Sequence, residues 1–180
     1  METTSRTLPV SLSVRPSGPG DLERLDAFVD RCSPATLYRR FHGAGERPAR
    51  REMARVAAPS ATHSSWVAVS PGGDIRGVAT LAWGRDCSVE AAFMVEDDWA
   101  RRGVGRALFA ALVDDSRRAG LRTLRAMVQA DNERAVRFLL AVVPGARSRY
   151  AGDAEIEVTL PVATTVPTAA PTAVPTQEAA

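Results

Sequence analysis

Arg101, Arg102 and Arg106 crowd around Gly103 and Gly105 where an apolar strand, ending at Val95, gives way to a helix. Each ingredient favours an anion. Guanidinium groups make paired hydrogen bonds to phosphate oxygens. Glycine lets the backbone approach a ligand closely, and the first turn of a helix presents unpaired N–H groups with a partial positive charge. The stretch Phe93-Met-Val-Glu-Asp-Asp-Trp-Ala-Arg-Arg-Gly-Val-Gly-Arg-Ala-Leu108 therefore reads as a pyrophosphate cradle, with Phe93, Met94 and Val95 leading into it and Val104 between its glycines. Two common phosphate motifs are excluded. A dinucleotide fingerprint needs a third glycine where Leu108 stands, and a Walker A loop needs a lysine, which the chain lacks. Taken alone, the same residues also describe a capped helix with solvated arginines.

The second chemical candidate is Glu90, an acid inside the apolar run Val89-Glu-Ala-Ala-Phe-Met-Val95. With period-two alternation Glu90, Ala92 and Met94 share one face. A buried carboxylate is costly unless paired. Burial would raise its pKa and suit it to accept a proton from an ammonium; a salt bridge, for instance to Arg85, is the structural alternative. Glu96, Asp97 and Asp98 read as an exposed, solvated loop. His42 and His63 are isolated and read as surface residues of polar loops. Cys32 and Cys87 lack metal-site spacing or a disulfide framework, so reduced thiols and no metal are expected. Trp66, Trp83 and Trp99 read as core or ligand-edge packing.

The elements that must position these residues follow from periodicity and punctuation. Leu12–Arg15 alternates as a strand closed by Pro16. Asp21 stands at an N-cap position before Leu22, Leu25, Phe28 and Val29 at helical spacing. Ser33-Pro34 repeats the signal, with Ser as cap and Pro at the first helical position, leading to Phe41. A short helix near 49–57 follows, then strands 65–70 and 75–83 flanking Pro71-Gly-Gly-Asp74, which reads as a hairpin turn. Residues 89–95 form a strand, 103–118 an amphipathic helix stopped by Gly120, 121–128 a strand, 132–142 a helix, and 147–150 and 155–160 two last strands. The alternation predicts an α/β fold with a mixed central sheet and helices on both faces.

Bulk properties narrow the function classes. The 180 residues (19.2 kDa) suffice for one domain, expected over 11–160, between a polar, disordered start (1–10) and a disordered Pro/Thr/Ala-rich tail (161–180). A net charge of +2, carried by arginines alone as cations, argues against nucleic acid as partner. No apolar run is long enough to span a membrane and the start lacks a signal-peptide pattern, so a cytoplasmic location is expected.

The strand, loop and Arg-x-Gly-x-Gly helix start resemble the acetyl-CoA-binding motif of the GNAT N-acetyltransferase family, written Gln/Arg-x-x-Gly-x-Gly/Ala. Asn132-Glu-Arg-Ala-Val-Arg-Phe138 resembles the family's second motif, in which an Asn begins a helix beside the pantetheine arm. The resemblance implies the GNAT acyl-CoA N-acyltransferase fold and acetyl-CoA as co-substrate. It also implies a splayed fourth strand whose backbone at Phe93–Val95 pairs with pantetheine, and phosphate contacts from Arg101 to Arg106. Two positions depart from the pattern. Ala100 stands where Gln or Arg is usual, leaving Arg101 or Arg102 to substitute. Leu139 stands where many members carry a Tyr that protonates the departing thiolate, leaving Tyr150 or water to supply that proton. Ser33-Pro-Ala-Thr-Leu-Tyr-Arg-Arg-Phe41, followed by the Glu90 strand, is similar to bacterial protein-lysine acetyltransferases that act on acyl-CoA synthetases. That similarity implies Glu90 as base, Tyr38, Arg40 and Phe41 on the acceptor side, and a protein lysine as preferred acceptor. A small amine or aminoglycoside is the alternative acceptor, and a non-catalytic acyl-CoA sensor the alternative class. A monomer or homodimer is expected.

Overall fold

The computed structural model describes residues 12–41, 46–84 and 88–162. The expected polar start lies outside them, as do His42, Arg85, Cys87 and all but the first residues of the expected tail. In chain order the elements are β1 (Ser13–Pro16), α1 (Leu22–Arg31), α2 (Pro34–Phe41), α3 (Glu46–Ala57), β2 (His63–Val69), β3 (Ile75–Trp83), β4 (Val89–Val95), α4 (Val104–Arg118), β5 (Thr123–Gln129), α5 (Glu133–Val142), β6 (Arg147–Gly152) and β7 (Glu155–Pro161). Single 3₁₀ turns at Pro19–Asp21 and Asp97–Trp99 join them. Pro161 completes β7 and Val162 is buried, its N–H donating to the Arg122 carbonyl at 2.8 Å. The sheet therefore extends slightly past the expected boundary.

Seven strands form one sheet in the order β1-β2-β3-β4-β5-β7-β6, with every neighbouring pair antiparallel except β4 and β5. Alternation along the strands divides the apolar residues between two faces. Trp66, Ala68, Ala79, Leu81 and Ala91 join Leu108, Leu112 and Leu139 of α4 and α5 in one cluster. Val67, Val69, Val78 and Met94 join Leu25, Phe28, Met53 and Val56 of α1 and α3 in the other. Helices thus cover both faces, as the element order requires.

Local chemistry explains the helix ends. The Ser33 hydroxyl accepts from the Thr36 N–H at 3.2 Å, and Pro34 opens α2. Asn132 Oδ1 accepts from the Ala135 N–H at 3.3 Å and caps α5. Asp21 holds the N-cap position of α1 without making the cap bond. Arg15 takes its carboxylate at 2.8 and 2.6 Å, and the Gly18 N–H donates to it at 3.0 Å. A two-pronged guanidinium outcompetes a single helix N–H. Gly77 of β3 lets α4 sit directly on the sheet. A Cβ there would lie 2.8 Å from Leu108 Cδ1, 3.0 Å from Val104 Cγ1 and 3.2 Å from the Met94 carbonyl.

Candidate active site

On one side β4 pairs with β3 along its whole length, from Trp83↔Val89 to Gly77↔Val95. On the other it meets β5 at one register position, Glu90↔Arg125. Past that point the parallel strands diverge, and the edge of β4 from Ala91 to Val95 borders a cavity of about 980 Å³. Ala126, Met127 and Val128 of β5 form the facing wall, and Asn132, Phe138 and Leu139 bring in α5. A strand edge with unspent N–H and C=O groups favours an extended partner bearing amides. Phe93 and Phe138 meet edge-on at 5.6 Å between ring centres and line the apolar middle of the cleft.

At the end of β4 the cleft reaches the glycine turn. Arg101 (φ 64°) and Gly103 (φ 88°) both adopt left-handed backbone, with Arg102 between them. Backbone that alternates between left- and right-handed regions gathers successive N–H groups into an anion-binding concavity. Arg101, Arg102 and Arg106 are exposed on the cavity lining, and among the described residues none of the three forms an ion pair. Arg102 and Arg76 both approach the Trp99 ring, at 5.6 and 5.3 Å from its centre. A Cβ on Gly105 would meet only Phe138 and Val95, each at 3.9 Å. Packing thus does not force this glycine; it leaves the cavity floor bare. Val104 and Met94 differ from the expectation in their side chains. Val104, the first residue of α4, is buried in the core and is not on the cavity lining, whereas Met94 lines the cavity although its side chain is buried with α1 and α3.

Glu90 lines the opposite end of the cavity but is exposed, contrary to the expected burial. The residues of α2 face it, because α2 lies alongside β4 in the reverse direction. Its first turn is held by Asp97, which accepts from the Ser33 N–H, the Ser33 hydroxyl and the Thr36 hydroxyl at 2.8, 2.9 and 2.8 Å. Its last turn brings Arg39 and Arg40 to the cavity wall. Arg40 pairs with Glu52 at 3.5 Å and lies 5.0 Å from the Phe41 ring centre. Burial draws the Arg40 pKa down, while the charges of Glu52 and Glu90 oppose that shift. Tyr38 and Phe41 are not on the lining: Tyr38 is 48% exposed, and Phe41 packs against the α1–α3 core. Thr36, Arg39 and Arg134 also line the cleft, without a site role in the sequence reading, as does Asp97 of the loop read as solvated. The adjacent pair Arg39-Arg40 was the one signal available.

Three further expectations are corrected. Glu96 is not solvated: it is 5% exposed, and Arg31 and Arg76 each reach it at 3.0 Å. Tyr150 lies on the outer strand β6, 68% exposed, its oxygen accepting from the Ala154 N–H at 3.3 Å. It is absent from the cleft, and Leu139 is buried at the family's usual tyrosine position. His63 belongs to β2, with Nε2 buried and unpartnered, and burial lowers its pKa. Cys32 is a buried thiol, pushed by desolvation up to about 12. Among the described residues no group of His, Cys, Asp and Glu is arranged to hold a metal, and no helix is long and apolar enough to cross a membrane.

A cleft between splayed strands, with a cationic nest at one end and a carboxylate at the other, suits group transfer from a phosphate-bearing carrier. The chain belongs to the acetyltransferase (GNAT) family, which it matches over residues 33–141. Members use acetyl-CoA as co-substrate, and the chain is accordingly an acyltransferase of the N-acetyltransferase type. No curated protein matches it significantly. Among solved structures it is similar to the GNAT domain of S. lividans PAT, at 23% identity and a TM-score of 0.75, over 82% of this chain and 89% of that one. It is also similar to the ribosomal-protein-S18-alanine N-acetyltransferase from Escherichia coli, at 17% identity and 0.64, over 88% and 98% of the two chains. A cAMP-binding acyltransferase from Mycobacterium smegmatis shares 27% identity at 0.56, over 84% of this chain and 44% of that longer one.

Proposed function

We propose that the chain transfers the acetyl group of acetyl-CoA to the side-chain amine of a protein lysine, and that Glu90 receives the proton the amine must lose. The observation that carries the reading is the position of Glu90. It stands exposed at the acceptor end of the cleft, five residues along β4 from Val95, on a strand whose far end leads into the arginine nest. An open carboxylate there can be reached by a side chain presented on a large molecule. The residues that would hold acetyl-CoA are the main chain of Phe93–Val95, the turn Arg101–Arg106 and Asn132; when bound it supplies an activated acetyl thioester. The free strand edge and the unpaired arginines fit amides and phosphates respectively.

A lysine ammonium has a pKa of about 10.4 and is not nucleophilic until deprotonated. Glu90 accepts that proton directly or through one water. For that proton transfer the acyl carbonyl must lie along the open edge of β4 near Glu90, where main-chain N–H groups would polarise it. Replacing Glu90 by Gln keeps shape and removes the proton acceptor, so kcat should fall about 10²–10⁴-fold while acetyl-CoA affinity is unchanged. Unchanged turnover would remove Glu90 from the role. Incubation with carbon-labelled acetyl-CoA and a clarified lysate tests the acceptor. Discrete, hydroxylamine-resistant labelled protein bands above a no-enzyme control support lysine, whereas label confined to small molecules points to a metabolite or aminoglycoside.

A further inference from the structure

Resting on the protein-lysine reading, we propose that Arg39 selects acceptor lysines that lie beside an acidic residue. Three side chains of α2 reach the cleft, and two are already engaged. Thr36 donates to Asp97, and Arg40 is tied to Glu52 and the Phe41 ring. Arg39 lines the same wall, is exposed, and among the described residues has no ion-pair partner. With Asp97 holding the start of α2 at the nest end of β4, the last turn lies toward Glu90, and Arg40 senses the Glu90 charge. The five-residue step from Glu90 to Val95 spans roughly 16 Å, at about 3.3 Å per residue.

The charges facing an incoming amine are therefore Glu90, Arg39 and Arg40, with Glu52 behind Arg40 and Arg125 beside Glu90 in register. A polycation such as an aminoglycoside would meet one carboxylate and two guanidiniums. A lysine followed or preceded by Asp or Glu meets both signs in the arrangement it needs. Its ammonium faces Glu90, and the neighbouring carboxylate matches the planar fork of Arg39.

The test uses three fluorescein-labelled peptides, identical except that the residues flanking one lysine are Asp, Ala or Arg. Binding is read by anisotropy and turnover as kcat/KM with acetyl-CoA. The natural chain should prefer Asp over Ala and Ala over Arg by about two- to fivefold per step, the size of an exposed ion pair. High salt should compress that order. Arg39→Gln should flatten the ranking and Arg39→Glu should reverse it, while acetyl-CoA affinity stays constant in both, which a folding defect would not allow. Equal use of all three peptides overturns the selectivity and leaves lysine acetylation standing. An unreversed ranking in Arg39→Glu removes Arg39 from the role. If no peptide is acetylated while a small amine is, the lysine reading fails and this inference with it.

Discussion

Single residues set the electrostatics of the site, and the most constrained is Glu96 rather than Glu90. Its carboxylate is 5% exposed and held by Arg31 and Arg76 at 3.0 Å each. Arg31 also donates to the Ile75 carbonyl at 2.8 Å, and Arg76 to Asp74 at 2.7 Å. Glu96 therefore fixes the point where β4 ends and the nest begins. Glu96→Ala should cost about 2–3 kcal/mol in urea denaturation. That is less than the 3–5 kcal/mol usual for breaking a fully buried pair, because the Arg31 side chain remains 31% exposed. A loss near zero would show that solvent takes over the role of the carboxylate. Glu90 has the opposite character, exposed and available, which is why its replacement should touch rate and not stability.

At the scale of elements, two junctions hold the cleft walls in register. The first is the seat of α4 on Gly77. Gly77→Ala inserts a methyl 2.8 Å from Leu108 Cδ1 and 3.2 Å from the Met94 carbonyl, so the Leu108 side chain, the helix or the strand must give way. Overpacking of this kind costs about 1–3 kcal/mol. Because the first turn of α4 carries the nest, calorimetric affinity for acetyl-CoA should fall along with stability. The second junction is Asp97 at the start of α2. Burial pushes its carboxyl up, but hydrogen bonds from the Ser33 N–H and the Thr36 and Ser33 hydroxyls outweigh this and hold the pKa below the ordinary 3.8. The sign follows. A carboxyl with a depressed folded-state pKa stabilises fully above its unfolded value and loses that contribution as pH falls through the folded one. The Asp97 contribution to stability should therefore begin to fall near pH 4 and be lost only below the lower, folded-state pKa. Asp97→Asn should flatten that part of the acid-denaturation curve and raise the acceptor KM, with acetyl-CoA affinity retained.

For the whole molecule, the cleft joins parts that are distant in the chain, so ligand binding should report on global stability. Acetyl-CoA at a hundred times its Kd adds about 2.7 kcal/mol to a folded state that alone binds it. For a chain of this length that corresponds to about 5–11 °C in Tm. Replacing Arg101, Arg102 and Arg106 together by Gln should abolish most of the shift and leave the ligand-free Tm nearly unchanged, since these exposed side chains form no ion pairs among the described residues. Scanning calorimetry with and without acetyl-CoA checks both statements. A full shift in the triple variant would place phosphate recognition elsewhere.

What the chain determined by itself is local. β3 and β4 occupy the spans read from apolar alternation. α2 starts behind Ser33-Pro34, and α5 starts behind Asn132, because caps and periodicity depend on residues within a turn of one another. The nest was legible for the same reason, its glycines and arginines being contiguous. The tertiary structure decided the rest. Glu96 is buried because Arg31 and Arg76 come from α1 and β3 to meet it, and Glu90 is exposed because β4 and β5 part just beyond it. Arg39 joined the site and Tyr150 left it through the placement of α2 against β4 and of β6 at the sheet edge. Burial and charge pairing depend on what lies across space, and residues far apart in the chain become neighbours only once the sheet order is set.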